Sequence, residues 1–249
     1  MGEEEDVRAF RRRLQSVRAA VVGPGGKYLA LYGRNRAAEQ QASVVVYRPD
    51  GDSYRELKVL AQGDAPSVDW NLSAGGRLLA AGESGEIRLW DTTSWKDVTP
   101  PYLRLLKLFS PLSLSPGGHF IASGGFQGPS TLVNLSSGRV SPLPDTVMVR
   151  QIAFSQDERY LGLGLYDGFL HVFETDSPER EVARIPLGSD ITALAFGDDN
   201  KYVVTASDDA RAGGTAEKGG RVLRIWLLQP GNLIAEARER VRQFTQSAR

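Results

Sequence analysis

Residues 149–174 read VRQIAFSQDERYLGLGLYDGFLHVFE, and this stretch decides the fold. It contains three short runs that are rich in apolar residues: VRQIAFS from Val149, RYLGLGL from Arg159 and FLHVF ending at Phe173. The residues between the first two runs, Gln156 to Glu158, are of the kind that suits a tight hairpin. The stretch therefore predicts three consecutive antiparallel β-strands.

The same pattern occurs four more times along the chain. Further first strands lie at 17–23, 67–73, 109–115 and 191–197, and each ends at a small residue before a turn. The aligned turn positions are spaced by 50, 42, 40 and 42 residues, and they are Gly26, Gly76, Gly118, Glu158 and Asn200. A period of roughly 40 residues predicts β-rich units that become stable by stacking on copies of themselves. Radial stacking of such units gives an all-β β-propeller with four antiparallel strands per blade.

Two of the five units carry a family resemblance. VRQIAFSQDERYLGLGLYDGFLHVFE and SVDWNLSAGGRLLAAGESGEIRLWDTTS, residues 67–94, resemble blades of WD-repeat β-propellers, including the dipeptide Trp90–Asp91. The resemblance covers roughly residues 16–228. It implies a propeller domain over 16–229 and a role as a non-catalytic scaffold for protein contacts. The structural blade positions that it implies are Tyr47, Trp90, Asp91, Phe173 and Trp226.

The repeats depart from the WD pattern at several points. No Gly-His pair precedes any first strand, Asn134 stands where the third strand usually has an aromatic residue, and only Trp90 is followed by Asp. We therefore expect the hydrogen-bonded tetrad that is typical of such blades to be absent or incomplete.

The sequence after Trp226 predicts a helix in place of a fourth strand. Pro230 and Gly231 interrupt the strand pattern. From Asn232, a suitable N-cap, apolar residues follow at helical spacing and predict an amphipathic helix within 230–249. The apolar positions are Leu233, Ile234, Ala237, Val241 and Phe244. The fifth unit then needs its outer strand from elsewhere.

The N-terminal arm, residues 1–15, contains a candidate for that strand at residues 6–14. The same residues also suit a helix, because Val7, Phe10 and Leu14 share one helical face and acidic residues precede basic ones. Strand and helix remain alternatives here. A ring of five blades that closes as a monomer, and an open arc that assembles through its blade edges, also remain alternatives.

The tail carries a second resemblance. RIWLLQPGNLIAEARERV, residues 224–241, is similar to the end of WD-repeat regions in large bacterial multidomain proteins. In that family the propeller is the sensor or recognition half and is attached to an ATPase, protease-like or other signalling domain. We expect no such domain in this chain. The resemblance then implies a stand-alone relative, or the recognition subunit of a bacterial signalling or effector system.

Composition and charge exclude several classes of function. The chain has 249 residues, 41% of them hydrophobic, and 30 Lys plus Arg balance 30 Asp plus Glu. A net charge of zero gives no general field toward nucleic acid or an anionic membrane. The absence of Cys excludes disulfides, thiolate catalysis and Cys-containing metal sites. No apolar run is long enough to span a membrane. We expect a cytoplasmic protein with no cofactor, no metal, no nucleic-acid partner and no membrane contact.

The sequence offers little for catalysis. His119 and His171 are the only histidines, and their positions at the start of a second strand and within a third strand favour structural roles. The alternative is a propeller that binds a small ligand or acts on glycans through its central channel. That function needs acids or aromatic residues converging at the first strands. The residues found there are scattered: Arg18, Asp69, Arg150, Asp190 and Thr192. We expect no catalytic residue.

Candidate partner-binding residues lie in loops. The first and fifth units carry inserts between their second and third strands, GRNRAAEQQA at 33–42 and DDARAGGTAEKGG at 208–220. Loops carry function more often than strands do, although solvated loops with no partner remain an alternative. We interpret the pair Asp208–Asp209 as turn residues. Trp95, in a turn after a third strand, is expected to be exposed. The candidates are Arg34, Arg36, Asp208, Asp209, Arg211, Lys218, Trp95, Leu233 and Val241.

Overall fold

A computed structural model describes residues 13–37, 41–51, 53–64, 70–72, 77–81, 87–106, 108, 111–124, 128–197, 200–209 and 220–228. Strands dominate these residues, and two short 3-10 helices lie at Pro24–Gly26 and Leu103–Leu105. The chain divides into two compact units, Met1–Leu114 and Ser115–Arg249.

Unit 1 contains one complete four-stranded antiparallel sheet. Its strands pair in chain order: β1 Leu14–Val22, β2 Leu29–Asn35, β3 Gln41–Asp50 and β4 Ser53–Asp64. A second sheet is formed by β5 Trp70–Leu72, β6 Arg77–Ala81 and β7 Ile87–Asp91. The last strand of this unit is β8 Leu112–Leu114. A buried cluster of Tyr28, Ala30, Val46, Trp90 and Trp95 packs the first sheet against the second.

Unit 2 is also built from antiparallel sheets whose strands pair in chain order. Strand β9 Phe120–Ser123 pairs with β10 Thr131–Asn134, which pairs with β11 Val140–Pro142. A complete four-stranded antiparallel sheet follows: β12 Val149–Phe154, β13 Tyr160–Leu165, β14 Phe169–Glu174 and β15 Glu181–Pro186. The last sheet consists of β16 Ile191–Phe196, β17 Tyr202–Asp209 and β18 Gly220–Leu227.

The hairpin turns agree with the repeat alignment. Four of the aligned turn positions have left-handed backbone, with φ of 70° at Gly26, 76° at Gly118, 62° at Glu158 and 56° at Asn200. The fifth position, Gly76, lies outside the described residues. A shared φ at equivalent positions shows that these repeats turn in the same way. Glycine adopts this conformation without strain and Asn tolerates it, so Glu158 is the residue that its surroundings must hold in it.

The neighbouring sheets of unit 2 approach each other closely around β13. A Cβ atom on Gly164 would lie 2.9 Å from a methyl carbon of Ile191, and one on Gly162 would lie 3.2 Å from a methyl carbon of Leu194. Every residue of β13 is buried, because both faces of its sheet are covered by apolar side chains. Face-to-face burial of this kind is what the repeat pattern predicted.

The all-β class is confirmed, and so are four antiparallel strands in the sheets β1–β4 and β12–β15, whereas β5–β7 and β16–β18 form sheets of three described strands. The helix within 230–249 and residues 1–12 of the N-terminal arm lie outside the described residues, and five blades remain the prediction of the sequence. Strand β1 begins at Leu14, which pairs with Asn35, and the carbonyl of Arg13 accepts a hydrogen bond from Arg36. The end of the segment considered for a closing strand or a helix thus lies in the first sheet.

Candidate functional site

Two connections of unit 2 meet beside strands β12 and β13. One joins β11 to β12 and ends at Met148, and the other runs from Tyr166 to Gly168 between β13 and β14. The backbone N–H of Tyr166 donates a hydrogen bond of 3.0 Å to the carbonyl of Met148. Met148 has a φ of 57°, which is uncommon for a residue with a side chain and indicates a tightly determined loop.

These connections display large apolar side chains to solvent. Val147 is 49% exposed, Met148 42% and Tyr166 41%. Single exposed apolar residues are ordinary on protein surfaces, but these three lie on two connections joined by a backbone hydrogen bond. Tyr, Met and Arg are the residues that protein interfaces favour. We call this set, with the nearby pair Arg150 and Asp190, the Tyr166 surface.

Arg150 stabilises the position of the Tyr166 ring. Its Nη1 atom lies 2.6 Å from Oδ2 of Asp190, and its Cζ atom lies 5.2 Å from the centroid of the Tyr166 ring. The ion pair fixes the guanidinium and the cation–π contact holds the ring over it. Since both charged side chains are about one-third exposed, the pair serves more to orient the groups than to stabilise the fold.

Backbone hydrogen bonds make the Tyr166–Gly168 connection rigid. Gly168 donates to the carbonyl of Leu165 at 3.1 Å and accepts from Leu187 at 2.7 Å. Its φ of 81° suits glycine, and a Cβ atom there would lie 2.7 Å from the backbone nitrogen of Ser189. These contacts hold the exposed side chain of Tyr166 on a backbone of fixed conformation.

Both histidines contact a glutamate of unit 2. His171 is buried between the rings of Phe169 and Phe173, and its Nδ1 atom lies 2.8 Å from Oε1 of Glu181. Burial lowers the pKa of His171, although the neighbouring Glu181 opposes that change. A search of the described ranges for three or more His, Cys, Asp or Glu side chains able to hold a metal ion found none.

His119 belongs to a cluster that joins two hairpin turns of unit 2. Its Nδ1 atom lies 2.6 Å from Oε2 of Glu158, while Oε1 of Glu158 accepts hydrogen bonds from the Ser115 hydroxyl and, at 2.7 Å, from the Gly117 N–H. Here the carboxylate lies between hydroxyl and imidazole. A nucleophilic serine needs the imidazole in the middle, so the cluster does not activate Ser115.

The environment of Glu158 explains its protonation state. Burial alone would raise the pKa of this carboxyl group, but hydrogen bonds from Ser115, His119 and Gly117 outweigh burial and hold the pKa below its ordinary value. Glu158 is therefore a charged acceptor that ties the turn of one sheet to the turn of the sheet before it.

The candidate residues of the two inserts lie at the ends of hairpins. Arg34 is exposed and belongs to β2, opposite Ala42, and Arg36 is exposed in the connection that follows. The interpretation of Asp208 and Asp209 as turn residues is wrong, because both belong to β17 and pair with Arg221 and Gly220. Strands β17 and β18 are longer than the sequence predicted, so the hairpin continues through both residues. The remaining candidates, Arg211, Lys218, Leu233 and Val241, lie outside the described residues.

Trp95 corrects another expectation. It is only 8% exposed, and its ring packs edge-on against Tyr28 with 4.7 Å between centroids. Its φ of 53° turns the chain after β7 so that the indole reaches back to the first sheet. The expectation of an exposed Trp95 was wrong because the sequence gives no sign of this turn geometry.

The implied blade positions are placed in the core or at its edge. Tyr47, Trp90 and Phe173 are buried, and Trp226 is half-buried with its Nε1 donating to Oγ1 of Thr205 at 3.0 Å. Asp91 closes the turn after β7: its Oδ1 accepts hydrogen bonds from the N–H groups of Thr93 and Ser94 and from the Ser94 hydroxyl.

The sequence did not identify the apolar part of the Tyr166 surface. In the sequence, Arg150 and Asp190 lie 40 residues apart near two different first strands, and only the fold brings their side chains together. Val147, Met148 and Tyr166 lie in short connections between predicted strands. The one feature of the sequence that could have identified these three residues is their large apolar side chains, which stand in segments that otherwise consist of turn residues.

Comparisons with known proteins agree with this architecture. Repeated antiparallel sheets of this kind form the blades of β-propellers. Residues 184–212 match the family model described as WD domain, G-beta repeat. The β-propeller domain of Cps50 (Swd1) from Myceliophteria thermophila is similar, with a TM-score of 0.61 and 16% identity, over 86% of this chain and 73% of that one.

Hydrazine synthase from Kuenenia stuttgartiensis is similar at a TM-score of 0.60 and 13% identity, over 85% of this chain but only 63% of that chain. No curated protein matches the sequence. At these identities the structural likeness shows the fold alone. The resemblance to WD-repeat β-propellers is thereby confirmed, by one WD repeat in sequence and by the fold in structure. No helix among the described residues has the length and apolar character needed to cross a membrane.

Proposed function

We propose that this protein is a non-catalytic scaffold that binds a protein partner through the Tyr166 surface. One observation carries the proposal: Val147, Met148 and Tyr166 are exposed on two hydrogen-bonded connections and are flanked by the ordered pair Arg150–Asp190. WD-repeat propellers commonly mediate protein contacts, which agrees with this role.

The chemistry of the surface indicates what it would bind. Val147, Met148 and the Tyr166 ring supply apolar area, and an unbranched Met side chain adapts to an incoming group. Arg150 is already paired with Asp190, so the partner does not need to supply a carboxylate for it. An apolar or aromatic side chain of the partner is therefore the expected central contact, with polar groups at the rim.

The charged residues of the two inserts and the likeness of the tail extend this proposal. Arg34, Arg36, Asp208, Asp209, Arg211 and Lys218 are proposed as further charged contacts for the same class of partner. The likeness of the tail to bacterial multidomain proteins supports a recognition subunit of a bacterial signalling or effector system, acting in the cytoplasm. In that role the scaffold would bring a partner to an effector domain.

The alternative, a propeller that binds a small ligand or acts on glycans, gains no support from the described residues. Of the two acids near first strands, Asp190 forms an ion pair with Arg150 and Asp69 lies outside the described residues. The likeness to hydrazine synthase is one of fold and carries no activity to this chain.

Site-specific photo-crosslinking tests the proposal. A photoreactive phenylalanine analogue replaces Tyr166 in one variant and Val140, an exposed position of the same unit, in another. The proposal expects a defined protein adduct from position 166 that is absent at position 140, and expects the purified adduct partner to bind the wild-type chain. The same adducts at both positions, or none at position 166, would contradict it.

A further inference from the structure

The sheet formed by β16, β17 and β18 has two very different faces. One face carries Ile191, Val203 and Trp226, which pack into the buried core of unit 2. The other face carries Leu223 and Ile225, which are 67% and 63% exposed. Exposed apolar residues on a single face of a strand indicate a surface that another element covers.

The strand register extends this exposed face across the sheet. Leu223 lies beside Ala206, which lies beside Ala193, and Ile225 lies beside Val204, which lies beside Ala195. Ala193 and Ala195 are also exposed. The result is a continuous apolar surface with small residues on β16 and large ones on β18. We call it the β18 face.

The composition of β18 also distinguishes it from the outer strands of the complete sheets. Strands β4 and β15 carry exposed charges, such as Glu56 and Lys58 in β4 and Arg184 in β15. Charged side chains of this kind protect a solvent-facing strand. The exposed side of β18 instead presents Leu223, Ile225 and Leu227, as a strand packed on both faces does.

The chain itself supplies a segment that matches this face. Residues 229–249 follow directly after β18 and its neighbour Leu228. In the predicted helix, five apolar residues lie within a stripe about 100° wide, and the opposite side is rich in Arg and Glu. An element that covers one face of a stacked repeat has this character, apolar toward the stack and polar toward water.

The lengths of the two elements also match. Eight residues of β18 span about 26 Å at about 3.3 Å per residue. A helix over 233–247 spans about 22 Å at about 1.5 Å per residue. If the chain reverses at Pro230–Gly231, the helix runs back along β18, with Ala237 near Ile225 and Val241 near Leu223. The small Ala237 would then face the large Ile225.

We propose that residues 232–247 form an amphipathic helix that packs its apolar stripe on the β18 face and caps the last sheet. This inference stands apart from the proposed partner binding at the Tyr166 surface, and either can fail without the other. It assigns Leu233 and Val241 to a contact within the chain, where the sequence alone left partner binding open.

Cross-linking of introduced cysteines tests the cap, and the chain is suited to it because it contains no Cys. The test variant is Leu223→Cys with Val241→Cys, and the matched control is Leu223→Cys with Glu239→Cys. Val241 lies on the apolar stripe of the predicted helix and Glu239 on its opposite side. Both full-length variants are treated with a short bismaleimide at low protein concentration, after circular dichroism has shown that their folding is unchanged.

The proposal expects a rapid cross-link within one chain for the Leu223–Val241 pair and at least a tenfold slower one for the Leu223–Glu239 pair. Peptide mass spectrometry distinguishes links within one chain from links between chains. Cross-linked dimers through position 223 would show that a second copy occupies the β18 face and would overturn the proposal. Equal rates for both pairs, or no reaction within one chain, would overturn it as well.

Discussion

Glu158 reaches from the hairpin turn between β12 and β13 to His119 in the preceding turn of unit 2, with 2.6 Å between Oε2 and Nδ1. The residues are 39 positions apart, close to one repeat period. Ser115 and Gly117 donate to the other carboxylate oxygen. One side chain thus joins the turns of two adjacent sheets, and its removal should loosen their packing.

We expect Glu158→Gln to lower the free energy of unfolding by about 1–2 kcal/mol, because hydrogen bonds to a charged acceptor contribute more than those to a neutral one. Glu179→Gln is the matched control. The Glu179 side chain is 70% exposed, and its Oε2 atom lies 3.5 Å from Nη2 of Arg139 in a surface ion pair. Chemical denaturation measures both variants. An equal effect of the two substitutions would contradict the role given to Glu158.

The same carboxylate predicts a dependence of stability on pH. The folded-state pKa of Glu158 is below its ordinary value of 4.5, so its contribution is fully present above that value. The contribution is lost as pH falls through the lowered folded-state pKa, because the protonated group then favours neither state. The difference in unfolding free energy between wild type and Glu158→Gln should therefore shrink below about pH 4.5. A difference that grows on acidification would show the opposite sign.

The Trp226–Thr205 hydrogen bond should contribute to the stability of the last sheet. Thr205 is buried, and its hydroxyl accepts from the indole N–H at 3.0 Å. We expect Thr205→Val to cost about 1 kcal/mol, because the half-buried indole loses its acceptor. In a double-mutant cycle with Trp226→Phe, a coupling of about 0.5–1.5 kcal/mol is expected. Strict additivity would mean that the bond contributes nothing.

Gly168→Ala should disturb the Tyr166 surface without touching its exposed side chains. The new Cβ atom would meet the backbone nitrogen of Ser189 at 2.7 Å, and alanine disfavours a φ of 81°. We expect a loss of about 1–3 kcal/mol in thermal or chemical unfolding. Gly128→Ala is the control, because nothing lies within 4 Å of its Cβ position and it should change stability by less than about 0.5 kcal/mol. Equal losses would contradict this account.

The sequence predicted the repeated strands well, because alternation, turn residues and a regular period are local signals. Glu158 and Asn200 occupy the same left-handed turn as Gly26 and Gly118, which the alignment alone identified. The residues of the candidate site were harder to predict from the sequence. Trp95 is buried because a turn with positive φ directs it inward, and Asp208 and Asp209 extend a strand. The residue types alone indicate neither of these features.

The Tyr166 surface shows the same limit. Arg150, Tyr166 and Asp190 come from three different segments, and their contact depends on the pairing of β12 with β13 and on the packing of β16 against that sheet. Periodicity indicates that sheets stack but does not show which side chains meet at their ends. Functional residues of a repeat scaffold are therefore harder to predict than its strands, because no local pattern selects them.

The central claim, that the Tyr166 surface binds a protein partner, is tested most directly by the affinity of the partner identified through position 166. Val147→Asp and Val140→Asp make the same change at two positions of similar exposure in one unit. We predict that Val147→Asp raises the Kd of the purified complex at least about 30-fold, as loss of a central apolar contact does, while Val140→Asp changes it less than about twofold. Equal affinities of the two variants would contradict the account.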